Sequence, residues 1–251
     1  MSILNHTLIT QRYFFPFQDH VEDPFWVTCR DGVRLSCLSY RPHQHGTTLI
    51  HFHGNGEVIG DYGKPFMELL AGMGVNVLLA EFRGYSLSGG EPELGKMLED
   101  VEDIVAAAGV PSKQILFFGR SVGSIFAVHG AYRFPECRGL ILESAIADPL
   151  ERILLRVQPE ELGVSYQEVA TQVRKYLNHQ HKMASYTGPV LIMHTHNDGL
   201  VDVRHAHDLY QWAGGRHKKL EIFPHGNHND IFHVNAQAYL AEVRDFLTSN
   251  G

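Results

Sequence analysis

One serine lies in a five-residue segment whose two outer positions are glycines, Gly119-Arg120-Ser121-Val122-Gly123. A serine hydroxyl is a poor nucleophile until a base within hydrogen-bonding reach takes its proton. Residues 114–119 are typical of a strand, and residues 122–133 are typical of a helix. A sharp strand-to-helix turn exposes such a hydroxyl and needs small residues two positions to either side. We therefore predict a nucleophile elbow at Ser121; the alternative is a helix N-cap in a glycine-rich turn.

An acid and a base for this nucleophile are expected later in the chain, in that order. Asp198 follows the strand-like segment 189–195, and His228 follows the strand-like segment 218–224. In open α/β sheets, ligands bind outside the carboxyl ends of the strands, where Ser121 and both of these residues are expected. The order predicts His228 as the base and Asp198 as the acid that orients it.

Other residues could fill these two roles. Glu143 ends a predicted strand and is the main alternative acid. Asp202 and Asp230 each precede a predicted helix, a position that favours a capping role. His225 is the alternative base, although it lies directly at a strand end, whereas His228 lies further into the loop and can reach the nucleophile more easily.

Two backbone N–H groups are candidates for stabilising the negative oxygen of a tetrahedral intermediate. One belongs to Val122, directly after the nucleophile. The other belongs to Asn55, in the segment HFHGNGE (51–57), where Gly54 permits close approach of the backbone. The alternative for Asn55 is an ordinary turn at a strand end, which glycine and asparagine also favour.

The elements that would position these residues alternate along the chain. Strand-like segments lie at 47–54, 75–82, 114–119, 137–144, 189–195 and 218–224, and helical periodicity marks 62–74, 94–109, 122–133, 202–215 and 231–248. This alternation predicts an α/β fold with a mostly parallel sheet and helices on both faces. Apolar segments on either side of Asp31-Gly32 predict an antiparallel hairpin at one edge of that sheet.

Residues 148–186 interrupt the alternation. Capping boxes begin at Asp148 and Ser165, and each precedes apolar residues at helical spacing. We therefore predict a small helical cap inserted into a single domain that spans residues 1–251. The apolar residues of the cap either line a moderately hydrophobic acyl pocket or pack the cap onto the core; they are Leu150, Ile153, Leu154, Val157, Val169, Val173 and Tyr176.

Composition excludes several classes of partner. The net charge is −7, and no long Lys/Arg run occurs, so neither nucleic acid nor an anionic membrane is an expected partner. Three scattered cysteines are too few for a disulfide framework and indicate a reducing compartment. The first 20 residues lack the pattern of a signal peptide, and no apolar run approaches the roughly 18 residues of a membrane span. These observations predict a cytoplasmic protein without stable membrane insertion.

Seventeen histidines raise the question of a metal site. Pairs occur at His51/His53, His194/His196 and His205/His207. Two histidines on a strand can share one face, as zinc ligands do, but two residues apart on a helix they diverge. Neither H-E-x-x-H nor C-x-x-C occurs, so we expect no metal ion.

The motifs together resemble those of α/β-hydrolase fold serine hydrolases, in particular soluble members whose oxyanion strand ends in His-Gly-Asn. The matching segments are HGNG (53–56), FRGYSLSGGEP (82–92), GRSVG (119–123), LILES (140–144), HTHNDGLV (194–201) and GNHND (226–230). They run through residues 27–248. The resemblance implies an eight-stranded sheet, a Ser-Asp-His triad, ester or thioester substrates and no cofactor. The first 25 residues match no part of this pattern.

The expected function is hydrolysis of carboxylic ester or thioester bonds in small to medium acyl substrates, through an acyl-enzyme. Ser121, Asp198 and His228 would act at the reacting bond, and Asn55 and Val122 would form the oxyanion hole. A peptidase or amidase on the same fold remains an alternative, as does a binding protein without catalysis. The expected partner is a small ester, and the sequence leaves the oligomeric state open.

Overall fold

A computed structural model describes residues 2–249 of the chain. The strands are β1 (Phe25–Thr28), β2 (Arg34–Tyr40), β3 (Thr48–Phe52), β4 (Asn76–Ala80), β5 (Ile115–Arg120), β6 (Gly139–Glu143), β7 (Val190–Thr195) and β8 (Lys218–Phe223). The α-helices are α1 (Thr7–Tyr13), α2 (Ile59–Ala71), α3 (Leu94–Ala108), α4 (Gly123–Arg133), α5 (Pro149–Leu154), α6 (Tyr166–Tyr176), α7 (His179–Ser185), α8 (Arg204–Trp212) and α9 (Ile231–Ser249).

The eight strands form one sheet in the order β1-β2-β4-β3-β5-β6-β7-β8. The β1–β2 and β2–β4 pairings are antiparallel, and all other pairings are parallel. The predicted eight-stranded, mostly parallel sheet is therefore confirmed, with the opening hairpin at one edge. Because β4 lies on one side of β3 and β5 on the other, the crevice beyond the carboxyl ends of β3 and β5 is the expected ligand site.

The sheet separates two apolar cores. Alternate side chains of each central strand enter opposite cores, because successive residues of a strand point to opposite faces. In β5, Phe117 belongs to the larger core and Phe118 to the smaller one. Helices α3 and α4 cover the larger core, and α2 and α9 cover the smaller one. With both faces covered, the central strands are buried along their whole length, as parallel strands usually are.

Residues 148–186 form three α-helices and a short 3-10 helix at Pro159–Leu162. Most apolar residues of this segment pack into or against the larger core: Ile153, Val157, Val169 and Val173 are buried there, and Leu150 and Leu154 are partly buried against it. Tyr176 is exposed. Of the two uses that the sequence left open for these side chains, packing of the cap onto the domain is observed for all of them except Tyr176.

The largest boundary difference concerns α2, predicted at 62–74 and observed at Ile59–Ala71. Gly63 has a φ of 54° inside this helix, which interrupts regular helical geometry. The helical signal at the start of α2 is weakened by Gly60, Gly63 and Pro65, which have low helix propensity. The pattern of apolar residues therefore does not indicate where the helix begins.

The three cysteines are free and buried, as their scattered positions suggested. Burial raises the pKa of Cys37 to about 12 and that of Cys137 to about 11, so both thiols stay protonated near neutral pH. Within residues 2–249, no helix combines the length and the apolar character needed to cross a bilayer.

Candidate active site

A strained turn joins β5 to α4 and holds Ser121 at its apex. Ser121 has a φ of 51°, in the left-handed region that non-glycine residues seldom adopt. A Cβ atom added at Gly119 would lie 2.6 Å from the Cβ of Ala127, and one added at Gly123 would overlap the carbonyl oxygen of Phe52. The glycines of the motif are therefore required by the close packing of α4 against β5 and the end of β3.

The structure brings Ser121, His228 and Asp198 into one hydrogen-bonded chain. His228 Nε2 lies 2.9 Å from Ser121 Oγ, and His228 Nδ1 lies 2.7 Å from Asp198 Oδ2. The other carboxylate oxygen, Asp198 Oδ1, accepts the backbone N–H groups of Leu200 at 2.9 Å and Val201 at 2.8 Å. All three side chains are largely buried. This arrangement can pass a proton from a hydroxyl to an imidazole while a carboxylate balances the resulting charge.

The surroundings of Asp198 keep its carboxyl group ionised. Burial alone would raise the pKa of Asp198, but hydrogen bonding and attraction from His228 outweigh burial, and the N–H groups of Val201 and Leu200 add to their effect. The net result is a pKa below the ordinary value for aspartate. Asp198 therefore carries the negative charge that stabilises a protonated His228.

The main alternative acid, Glu143, is engaged elsewhere. Its Oε1 lies 3.0 Å from Arg120 Nε in an ion pair, and its Oε2 accepts a hydrogen bond from the Tyr239 hydroxyl at 2.5 Å. Complete burial raises the pKa of Glu143, although Arg120 and the hydroxyl of Tyr239 favour the ionised form. The carboxylate thus belongs to a buried ion pair beside the hydrogen-bonded chain, which it does not join.

The remaining alternatives have local roles. Asp202 accepts the backbone N–H of Arg204 at 2.8 Å near the start of α8. Asp230 accepts the backbone N–H of Asn227 at 2.5 Å and so shapes the loop before α9. The backbone carbonyl of His225 accepts a hydrogen bond from the side-chain amide of Asn235 in α9, at 3.0 Å.

The two candidate oxyanion donors flank the carboxyl ends of β3 and β5. The side chain of Asn55 is occupied: its Nδ2 donates to the carbonyl of Tyr13, and its Oδ1 accepts from the Phe15 N–H and the Tyr85 hydroxyl, both at 3.0 Å. These bonds fix the loop and leave the backbone N–H as the group that could face a ligand. Neither this N–H nor that of Val122 has a protein acceptor within residues 2–249.

Arg120, the variable position before the serine, proves to be part of the site. Its Nη2 donates to the His228 carbonyl at 2.8 Å, while its other nitrogens contact Glu57 and Glu143. Tyr62 donates to Glu57 at 2.6 Å and completes this buried network. Arg120 therefore positions the loop that carries His228. Nothing in the sequence indicated this role, because His228, Glu57 and Glu143 all lie far from Arg120 along the chain.

Replacing Arg120 with methionine is expected to lower the free energy of unfolding by about 3–5 kcal/mol, because the buried carboxylate of Glu143 and the partly buried carboxylate of Glu57 lose their cation. Urea unfolding followed by circular dichroism measures this change. The matched variant Arg120→Lys keeps the positive charge and should lose less. A methionine variant within about 1 kcal/mol of the wild type would show that the buried pair does not stabilise the fold.

A cavity of about 130 Å³ opens onto Ser121. Tyr13 and Phe15 form part of its wall, so the N-terminal segment that sequence comparison left unassigned contributes to the site. The cap contributes Arg152 and Arg156. Nothing in the sequence distinguishes Arg152 and Arg156 from the other polar residues that stand between the apolar residues of the cap.

Among the described residues, one group has the donor types of a metal site: Cys29, Asp100 and Asp103. Asp100 is bonded to Arg83, and Asp103 is bonded to Arg30. Both carboxylates are therefore already neutralised by arginines. The three histidine pairs considered above form no such group within residues 2–249.

A family model described as serine aminopeptidase, S33 (Hydrolase_4) matches residues 43–174, more than half of the chain. Among curated proteins, α/β hydrolase domain-containing protein 17C of Mus musculus is 26% identical over 235 residues, covering 92% of this chain and 68% of that protein. The Xenopus laevis protein of the same name is 27% identical over 235 residues, covering 92% of this chain and 70% of its own.

Solved structures share the fold. The Pyrococcus furiosus esterase Pf2001 superposes with a TM-score of 0.75 at 21% identity, over 95% of this chain and 99% of the esterase. The Butyrivibrio proteoclasticus protein Est1E, solved with ferulic acid bound, gives 0.73 at 20% identity, over 90% of this chain and 98% of that one. A monoacylglycerol lipase from Paleococcus ferrophilus gives a TM-score of 0.67 at 18% identity, over 86% of this chain and 99% of the lipase. By its sequence match and its fold, the chain belongs to the serine aminopeptidase, S33 (Hydrolase_4) family of α/β-hydrolases.

Proposed function

We propose that this protein is a serine hydrolase that cleaves carboxylic ester or thioester bonds of small to medium acyl substrates. The observation that carries the proposal is the position of His228, whose two ring nitrogens lie 2.9 Å from Ser121 Oγ and 2.7 Å from Asp198 Oδ2. A hydroxyl, an imidazole and a carboxylate in this order form the arrangement that activates serine for attack on a carbonyl.

In the first half of the reaction, Ser121 Oγ attacks the carbonyl carbon, and His228 Nε2 takes the hydroxyl proton. The carbonyl oxygen becomes negative, and the backbone N–H groups of Asn55 and Val122 stabilise it. The bond to the alcohol or thiol then breaks, and His228 returns the proton to the leaving group. The acyl group remains on Ser121 as an ester.

In the second half, His228 takes a proton from a water molecule, whose oxygen attacks the acyl carbon. A second tetrahedral intermediate collapses, the bond to Ser121 Oγ breaks, and His228 gives the proton back to the serine. The product is a carboxylic acid, and the enzyme returns to its starting state. Asp198 stays ionised throughout, in keeping with its lowered pKa.

The comparisons support ester chemistry. Two of the superposed structures are named as an esterase and a monoacylglycerol lipase. Ester substrates also suit the cavity of about 130 Å³ above Ser121, which favours short acyl chains.

We further propose that the protein is cytoplasmic. The three free, buried thiols support a reducing compartment of this kind.

A second candidate function is cleavage of peptide or amide bonds. The description of the matched family, serine aminopeptidase, favours it. The same three residues could perform this reaction, with an amine in place of the alcohol as the leaving group.

Substrate panels distinguish the two candidates. We expect the purified protein to hydrolyse p-nitrophenyl esters, with acetyl and butyryl esters preferred over dodecanoyl esters. An initial burst of p-nitrophenolate should accompany accumulation of the acyl-enzyme. Faster cleavage of aminoacyl p-nitroanilides than of the esters would favour the peptidase. Turnover of neither class would contradict the proposal.

A further inference from the structure

Two arginines of the cap line the cavity above Ser121. Arg152 lies in α5, and Arg156 lies just beyond its end. In the described part of the chain, six arginines form ion pairs with carboxylates; these are Arg12, Arg30, Arg83, Arg120, Arg133 and Arg204. Within residues 2–249, the ion pairs include neither Arg152 nor Arg156. Two guanidinium groups thus border the site without a carboxylate partner.

A third group points to the same place. Tyr13 also lines this cavity and is 6% exposed, yet its hydroxyl has no hydrogen-bond partner within the described residues. Tyr13 shares the wall of this cavity with Arg152 and Arg156. Burial raises the pKa of Tyr13, and the positive charges of the two arginines act in the opposite direction. A buried hydroxyl without a partner is costly, so a ligand atom that accepts its hydrogen bond would be stabilised there.

The charge of the cavity is positive although the chain as a whole carries −7. Glu57 is the carboxylate on the cavity wall, and it is already bonded to Arg120 and Tyr62. Arg156 lies over the ring of Phe15, with 5.5 Å between its Cζ atom and the ring centre, so its position is set by a neighbour in the wall. Two positive charges therefore remain uncompensated beside the nucleophile.

We propose that the substrate is an anionic ester, which carries a carboxylate or similar oxyanion in addition to the bond that is cleaved. Arg152 and Arg156 would bind this group, since guanidinium groups form paired hydrogen bonds with carboxylates, and the hydroxyl of Tyr13 would donate to it. This inference rests on the proposed esterase function and adds the class of substrate.

Matched pairs of substrates test the inference. For an anion in the acyl part, mono-p-nitrophenyl adipate is compared with p-nitrophenyl methyl adipate. For an anion in the alcohol part, 4-acetoxybenzoate is compared with methyl 4-acetoxybenzoate. Within each pair, a methyl group removes the charge and little else changes. The ratio of kcat/KM for the anionic ester to that for the neutral ester measures the preference, and the pair with the higher ratio locates the anion.

We expect a ratio above one in at least one pair, and Arg152→Gln should reduce that ratio about tenfold, mainly through KM for the anionic ester. Arg156→Gln and Tyr13→Phe should also reduce it. The control Arg174→Gln removes the same charge from an exposed position in α6 and should leave the ratio unchanged. Higher ionic strength should lower the preference of the wild type.

Two failures can be told apart. If, in both pairs, the two esters are hydrolysed at equal kcat/KM, and Arg152→Gln changes neither ratio, the anionic substrate is excluded while the esterase function stands. If no ester in either pair is hydrolysed, the esterase function itself fails. A shift in ratio with Arg174→Gln equal to that with Arg152→Gln would reduce the preference to a general effect of net charge and overturn the binding site.

Discussion

Replacing Ser121 with alanine is expected to lower kcat for a p-nitrophenyl ester by at least about 10⁴-fold, because the nucleophile is lost while the binding cavity remains. Residual hydrolysis would come from the oxyanion donors and from substrate positioning. The measurement is steady-state release of p-nitrophenolate, with urea unfolding to show that the variant is folded.

Ser144 provides a matched control. Like Ser121, it directly follows a strand, has a positive φ of 46° and is buried. Its hydroxyl has no hydrogen-bond partner in the part of the chain described. Ser144→Ala should therefore keep activity close to that of the wild type. Equal losses in the two variants would mean that removing the hydroxyl of Ser121 has no specific effect on activity, which would contradict its role as the nucleophile.

Asp198→Asn is expected to reduce kcat by about 10⁴-fold with little loss of stability. Asp198 Oδ1 accepts two backbone N–H groups, so an asparagine must keep its carbonyl oxygen there and turn its NH₂ group towards His228. Nδ1 of His228 would then accept a hydrogen bond, and the ring proton would move to Nε2. In that tautomer, Nε2 cannot take a proton from Ser121.

The measurement is kcat at neutral pH for the wild type and the variant. Asp202→Asn serves as the control, because Asp202 accepts a backbone N–H near the start of α8 and does not contact His228. An Asp198→Asn variant within tenfold of the wild type would show that another group orients the imidazole.

The order of chemical groups along the chain predicted much of the geometry, because each predicted residue follows a strand. Parallel strands place their carboxyl ends at one edge of the sheet, so Ser121, Asp198 and His228 come together once the strands pair. The same logic applies to Asn55 after β3 and Val122 after β5. The pattern of strands and helices therefore sufficed to indicate the fold class and the edge of the sheet at which these residues meet.

The side chains that surround the three residues could not be predicted in this way. Arg120 contacts the carbonyl of His228, a residue 108 positions later in the chain. Tyr13 and Arg152 meet at the cavity only because the N-terminal helix and the cap both pack onto the larger core. Such contacts depend on how elements pack together, and the periodicity of one element contains no information about its neighbours.

Covalent labelling tests the central claim most directly. A fluorophosphonate reacts with an activated serine, and the modified peptide can be identified by mass spectrometry after digestion. We expect one modified site, Ser121, with labelling abolished in Ser121→Ala and strongly slowed in His228→Ala. Modification of a different serine, or equal labelling of wild type and Ser121→Ala, would contradict the account.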